Sequence, residues 1–343
     1  MKFRALVPTA LAAAIAFAQP VAFLAQEAGR AAEILAAARK AIGGSKLDAM
    51  KTFSVQSSVQ RNAGSMQITS DLEVVLDLPD KYLRCETPQG SGGGMMVMAG
   101  GGVSGFNGDR SLMKPGGNGM TPGGGMVIRM GPGGPVGEEN KEKPSPEQLE
   151  QMNRTLVRNS QVEASRLMLG WFASAHPAAH VEYTFAGEAE SPDGKAYVID
   201  VKNADAFAAR LFIDEQTHLP LMVTYKGSQP RIMTAGGPGP MQQTTQASGG
   251  GGHVVTRNLS EMSEEDRKKA VADAEKQIQE MTKQAPVMVD FTLYFEDWRD
   301  ADGVKFPFKI RRAVGGATSE EWTVTKIKVN PKVDPKRFAT PTT

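Results

Sequence analysis

Cysteine and histidine are scarce in this chain, one and four among 343 residues, and their scarcity removes most catalytic and metal chemistry. With Cys85 alone no internal disulfide can form, so the fold must rest on its core. Cys85 stands in KYLRCET with no base beside it and reads as a buried strand residue, a reactive thiol being the alternative. His176 and His180 are four apart and could share a helix face as metal ligands, but Pro177 lies between them and no third ligand is in view. His218 and His253 are isolated, and no serine stands in G-x-S-x-G. Nothing assembles a nucleophile with a base, and no catalytic residue, metal or cofactor is assigned. Surplus charge is also missing. Thirty-nine basic against 38 acidic residues give +1, which excludes the footprint of a nucleic-acid or anionic-membrane binder.

Long apolar runs are confined to the start. Residues 1–18 carry Lys2 and Arg4, an apolar run over 5–17 and the small-residue site Ala16-Phe17-Ala18, which predicts a secretory signal peptide cleaved after 18, or as late as 25. A retained anchor is the alternative, but the run is shorter than the ~20 residues a spanning helix needs. No cysteine stands at the cleavage site, Cys85 lying far beyond it, so the chain is not expected to be acylated itself. The expected location is extracytoplasmic, in the periplasm, with residues 26–343 forming one domain.

What is present is mostly strand pattern. Residues 287–338 read VMVDFTLYFEDWRDADGVKFPFKIRRAVGGATSEEWTVTKIKVNPKVDPKRF. Val287, Val289, Phe291, Leu293 and Phe295 alternate with polar neighbours, Asp302-Gly303 turns the chain, and Val304, Phe306, Phe308 and Ile310 alternate on the return. Gly315-Gly316 turns it again into a Thr-rich strand stopped by Asn330-Pro331. The DADG turn is no calcium loop, because Trp298 and Lys309 occupy the first and twelfth ligand positions. Earlier strands follow the same period: Val55 and Val59, then Ile68, Leu72, Val74, Leu76 and Leu78 with Ser70 as the polar exception, then Tyr183 and Phe185, Ile199 and Val201, Leu211 and Ile213, and Val223 and Tyr225. Ala31, Ile34, Leu35, Ala38 and Ile42 predict a helix ended by Gly43-Gly44. Ser145-Pro146-Glu147-Gln148 predicts a capped start, and Ser160 a second helix through Trp171 and Phe172.

Two insertions, 88–137 and 227–286, break this pattern. Both hold Gly-rich tracts too poor in bulky side chains to offset the entropy of ordering, and read as mobile loops. Within the first, Asn107-Gly108 predicts a hairpin turn, and MVIRM a short strand. Gly100, Gly102 and Gly105 match G-x-G-x-x-G by chance of composition. Met95, Met96, Met98, Met113, Met120, Met126 and Met130 cluster there; soft copper ligation, adaptable apolar contact and unselected composition all remain open. The second insertion ends in a charged helix from Ser263, with a narrow apolar face, that either rests on the domain or docks a partner.

The hairpin YFEDWRDADGVKFPFKI, the last strand TKIKVNP and the closing VDPKRFATP resemble the end of the extracytoplasmic lipoprotein-carrier (LolA/LolB-like) superfamily, and residues 194–227 are similar in kind. The resemblance implies an α+β, mainly β fold: a strongly curved, unclosed antiparallel half-barrel of about ten to twelve strands with helices over its concave face. It also implies acyl chains of a lipoprotein or lipid held without covalent bonds in an apolar hollow. Candidate lining residues are Ile68, Leu72, Val74, Leu76, Tyr183, Phe185, Ile199, Val201, Phe291, Leu293, Phe306 and Phe308, each of which could equally be ordinary core. The alternative is a non-catalytic envelope interaction or sensor module with a packed core, contacting an envelope protein.

Overall fold

A computed structural model describes residues 19–63, 66–89, 102–113, 126–129, 145–192, 194–205, 207–228, 232–235, 243–244, 263, 265 and 287–339. The chain opens with helix α1 (Gln19–Ile42) and the short α2 (Ser45–Asp48). Strands β1 (Thr52–Ala63), β2 (Met66–Asp77), β3 (Lys81–Pro88), β4 (Gly102–Asn107) and β5 (Arg110–Ser111) follow. After β6 (Met126–Arg129) and helix α3 (Pro146–Phe172) come β7 (Glu182–Ser191), β8 (Gly194–Lys202), β9 (Ala208–Asp214) and β10 (Pro220–Ser228). Next are β11 (Ile232–Ala235) and β12 (Gln243–Thr244), and the meander β13 (Met288–Ala301), β14 (Val304–Val314) and β15 (Ala317–Val329) ends the sheet.

Twelve strands form one antiparallel sheet in the order β5-β4-β3-β2-β1-β15-β14-β13-β10-β9-β8-β7. Its outer strands, β5 and β7, do not pair with each other, so the sheet is unclosed. It is nevertheless strongly curved. Ten strand spacings separate β4 from β7, about 48 Å if flat. Yet His176 packs its ring 5.1 Å from that of Phe106 on β4, and the adjacent Ala175 N–H donates to Tyr183 Oη on β7 at 2.8 Å. Two side chains, one ring contact and one hydrogen bond cannot bridge that gap. The sheet must wrap around what lies inside it.

What lies inside is α3, with α1 beside it. Ser145 and Gln148 form the expected reciprocal cap, with Pro146 in the first turn. The second helix start expected at Ser160 is not used. One 27-residue helix runs through, because no Pro or Gly interrupts 157–163 and the buried stripe Asn153, Val157, Ala164, Met168 and Trp171 continues unbroken. At Gly170 the helix presses on the sheet so closely that a Cβ would overlap the Phe295 ring. The outer face carries a small second cluster in which Phe338 of the C-terminal turn covers Val75, Leu83 and Leu112, and Cys85 is half-buried against it rather than inside.

The two insertions are brought together. β6, within the short strand expected at MVIRM, pairs in parallel with β11, which pairs with β12, so the second insertion adds two strands where a mobile tract was expected. Most of the glycine- and methionine-rich residues, and the expected charged helix apart from Ser263 and Glu265, lie outside the described residues.

Candidate functional site

The helix-covered face of the sheet divides into two zones. In the larger zone the inward positions are almost all apolar, Ser57 being an exception. Phe53 of β1, Phe306 of β14 and Trp171 and Phe172 of α3 form its centre, with ring centroids 5.0–6.3 Å apart. Of the residues expected to line a hollow, Leu72, Val74, Leu76, Phe185, Ile199, Val201, Leu293 and Phe306 are buried in this cluster, and Tyr183 and Phe308 pack against it half-buried. Ile68 and Phe291 are buried apart from it, Ile68 opposite Arg61 and Phe291 stacked on Tyr225.

Along the free edge β7 the covering is incomplete. A cleft of about 530 Å³ opens between α1 and β7, lined by Ala28, Ala32, Leu35, Val181, Glu182, Tyr183 and Thr184. That is within the ~300–1,000 Å³ usual for small-molecule sites. Polar ties hold α1 across it: Arg30 pairs with Glu188 at 2.8 Å and lies 3.8 Å over the Phe185 ring, while Arg39 reaches Ser174 and Asp48. The Arg30–Glu188 pair is about half exposed, and such pairs contribute little, about 0–1 kcal/mol.

The second zone was not anticipated from the sequence. At the far end of β1, β3, β14 and β15 the inward positions become charged. Register places Arg312, Glu320 and Arg61 directly opposite one another across β14, β15 and β1. Arg61 Nε donates to Glu320 at 2.8 Å, and its terminal nitrogens reach across β2 to Glu86 on β3. Ser70 lies between those register positions on β2, so a small side chain stands where Leu or Val would obstruct the bridge. Arg84 pairs with Glu86 at 3.1 Å and with Glu163 of α3 at 2.7 Å, and Trp322 Nε1 donates to Glu320. Burial opposes the charge on Glu320, but Arg312, Arg61, Arg84 and the Trp322 N–H outweigh it and hold the carboxyl far below its usual range. Arg84 is likewise penalised by burial and kept charged by Glu163, Glu320 and Glu86.

No family model and no curated protein matches the chain. Its backbone is similar to solved structures at low identity. A LolA superfamily protein from Nitrosomonas europaea shares 10% identity over 90% of this chain and 97% of its own, with a TM-score of 0.43. A lipoprotein-sorting domain from Vibrio parahaemolyticus matches at 9%, over 91% and 97%, with 0.41, and a DUF1329 family protein from Desulfovibrio piger at 8%, over 90% and 97%, with 0.39.

Among the described residues, no three His, Cys, Asp or Glu side chains converge as a metal site. His176 instead caps the turn Pro177–Ala179 through Nδ1 and is buried against Phe106, while His180 follows that turn with a left-handed backbone. Burial lowers the His176 pKa from 6.5 to about 4. The folded protein therefore stays unprotonated there while the unfolded chain takes up a proton, so stability falls as pH drops from about 6.5 towards 4. The expected loss is on the order of 2–3 kcal/mol. Urea midpoints measured between pH 7 and 4.5 should show this slope, and His176→Gln should flatten it.

Proposed function

We propose that this protein is a non-catalytic, extracytoplasmic carrier that takes acyl chains of a lipid or acylated lipoprotein into the apolar zone beneath α1. The observation that carries this reading is the cleft between α1 and the unpaired edge β7, leading towards Phe185, Ile199 and Val201. The helix over it buries Ala31, Ile34, Leu35, Ala38 and Ile42 in the core, and its polar ties to β7 are exposed. Swinging α1 aside would uncover the inner face of β7 and β8. An entering acyl chain would replace the lost burial at about 0.8 kcal/mol per methylene, and release would follow reclosure. Among the described residues no helix is long and apolar enough to cross a membrane.

Native mass spectrometry of protein purified without detergent, followed by titration with laurate and an acylated peptide, tests the proposal. Bound acyl species are expected, and Ala32→Trp, which fills the cleft from an exposed position, should weaken binding at least tenfold without lowering the melting temperature. An apo mass unchanged by either ligand would defeat the carrier reading. It is the result expected from a second reading, a packed interaction module, which the closed aromatic centre of Phe53, Trp171, Phe172 and Phe306 favours.

A further inference from the structure

The charged zone is not balanced. Among the described residues, the guanidiniums of Arg61, Arg84, Arg166 and Arg312 face the carboxylates of Glu86, Glu163 and Glu320. Arg61 and Arg84 take the close contacts. Arg312 is left with one carboxylate oxygen at 3.8 Å, and Arg166 lies with its Cζ 3.6 Å over the face of the Tyr225 ring. The Nε atoms of both are out of reach of water and have no acceptor. The two guanidiniums repel each other, and both interact with the Tyr225 phenol, itself stacked on Phe291 with centroids 5.1 Å apart. Leaving buried guanidinium Nε–H groups without acceptors is unfavourable, and the planar arginine fork is the shape that grips a carboxylate or phosphate.

We propose that Arg166 and Arg312, walled by Tyr225, form a binding site for one anionic group, a carboxylate or a phosphate. Arg312 keeps 24% of its side chain exposed, so the site has an entrance. Burial, reinforced by Arg312, depresses the Arg166 pKa, whereas Arg61, Arg84 and Arg312 are raised by their carboxylates. Arg166 is the member whose nearby opposite charge, Glu163, does not offset its burial. An anion bridging the two would add to that charge. The group could be free phosphate or the head of a lipid whose chain enters the neighbouring apolar zone; only the latter case rests on the carrier reading.

Isothermal titration of the full chain at fixed ionic strength, with sodium phosphate, dodecyl phosphate and the neutral dodecyl maltoside as probes, separates these cases. Binding of phosphate identifies a free-anion site whatever the fate of the carrier reading. Binding of dodecyl phosphate alone, at least tenfold tighter than dodecyl maltoside, identifies a lipid head. In either case Arg166→Gln and Arg312→Gln should each weaken binding at least tenfold, and Arg154→Gln, on the exposed side of α3, should leave it unchanged. Arg166→Gln removes a charge that burial penalises and should melt no lower than the parent, whereas Arg312→Gln also weakens the hold on Glu320 and is titrated below its own melting transition; Arg166→Lys, which keeps the charge and loses the fork, should retain the fold and lose most of the affinity. Equal binding of the two dodecyl compounds, unaffected by Arg166→Gln, would support acyl carriage and overturn the anion site. Absence of binding by both anions would overturn it as well.

Discussion

Glu320→Gln should destabilise the protein by about 3–5 kcal/mol, because it leaves buried arginines without their shared counter-ion. Glu320 is 5% exposed and stands between Arg61 and Arg312 in the register of β15. The amide would keep an acceptor for Arg61 Nε but would remove the charge that offsets three guanidiniums. Equilibrium urea unfolding measures the loss. The double variant Glu320→Gln/Arg312→Gln should recover part of it, since one of the newly unbalanced charges goes too. A loss below 1 kcal/mol would mean that water already screens the cluster. The contrast is with Arg30–Glu188 on the surface, whose removal should be nearly silent.

Trp171→Ala should cost a comparable 3–5 kcal/mol through the cavity it leaves. Trp171 has no exposed surface and touches Phe53, Phe172 and Phe306, which come from β1, α3 and β14 and cannot all collapse inward. Its indole Nε1 has no partner, so the loss is one of packing, and Trp171→Phe should restore much of the stability. Thermal unfolding of the three proteins gives the ranking. If the carrier reading is right, Trp171→Ala should also bind laurate more tightly than the parent, because the ligand fills space the side chain has vacated. Weaker binding by a folded Trp171→Ala would place the acyl path elsewhere.

The strands were legible because their alternation is clean. Phe291, Leu293 and Phe295, and Leu72, Val74 and Leu76, point inward as the period of two requires, and Asp302-Gly303 turns the chain where turn chemistry puts it, whereas the turn expected at Asn107-Gly108 falls one residue on, at Gly108-Asp109, with Asn107 still paired in β4. The charged zone escaped for a different reason. Arg61, Arg84, Glu86, Arg312 and Glu320 each continue an inward series, as in Phe53, Val55, Ser57, Val59, Arg61, but charge at a strand end reads locally as a solvated face. Only the pairing of β1 with β15, invisible to any local pattern, makes those five positions neighbours. Ser70, noted as the polar exception in its strand, was the one local trace of the bridge above it. The single long α3 was missed because Ser160 resembles a cap in sequence, whereas in the fold the tertiary stripe on either side overrides that preference.

That same β1–β15 seam bears on how the chain is made. Phe53 sits opposite Val329, so the first strand of the large sheet acquires its second neighbour only when almost the whole polypeptide has been synthesised. Contacts of such long range are slow to form and unfavourable to close in a partial chain. Strands β1–β5 must therefore wait as an incomplete ribbon, with α1 and α3 lacking half of the surface they will cover. The last fifty or so residues to arrive therefore act as the latch that commits the chain to its folded form.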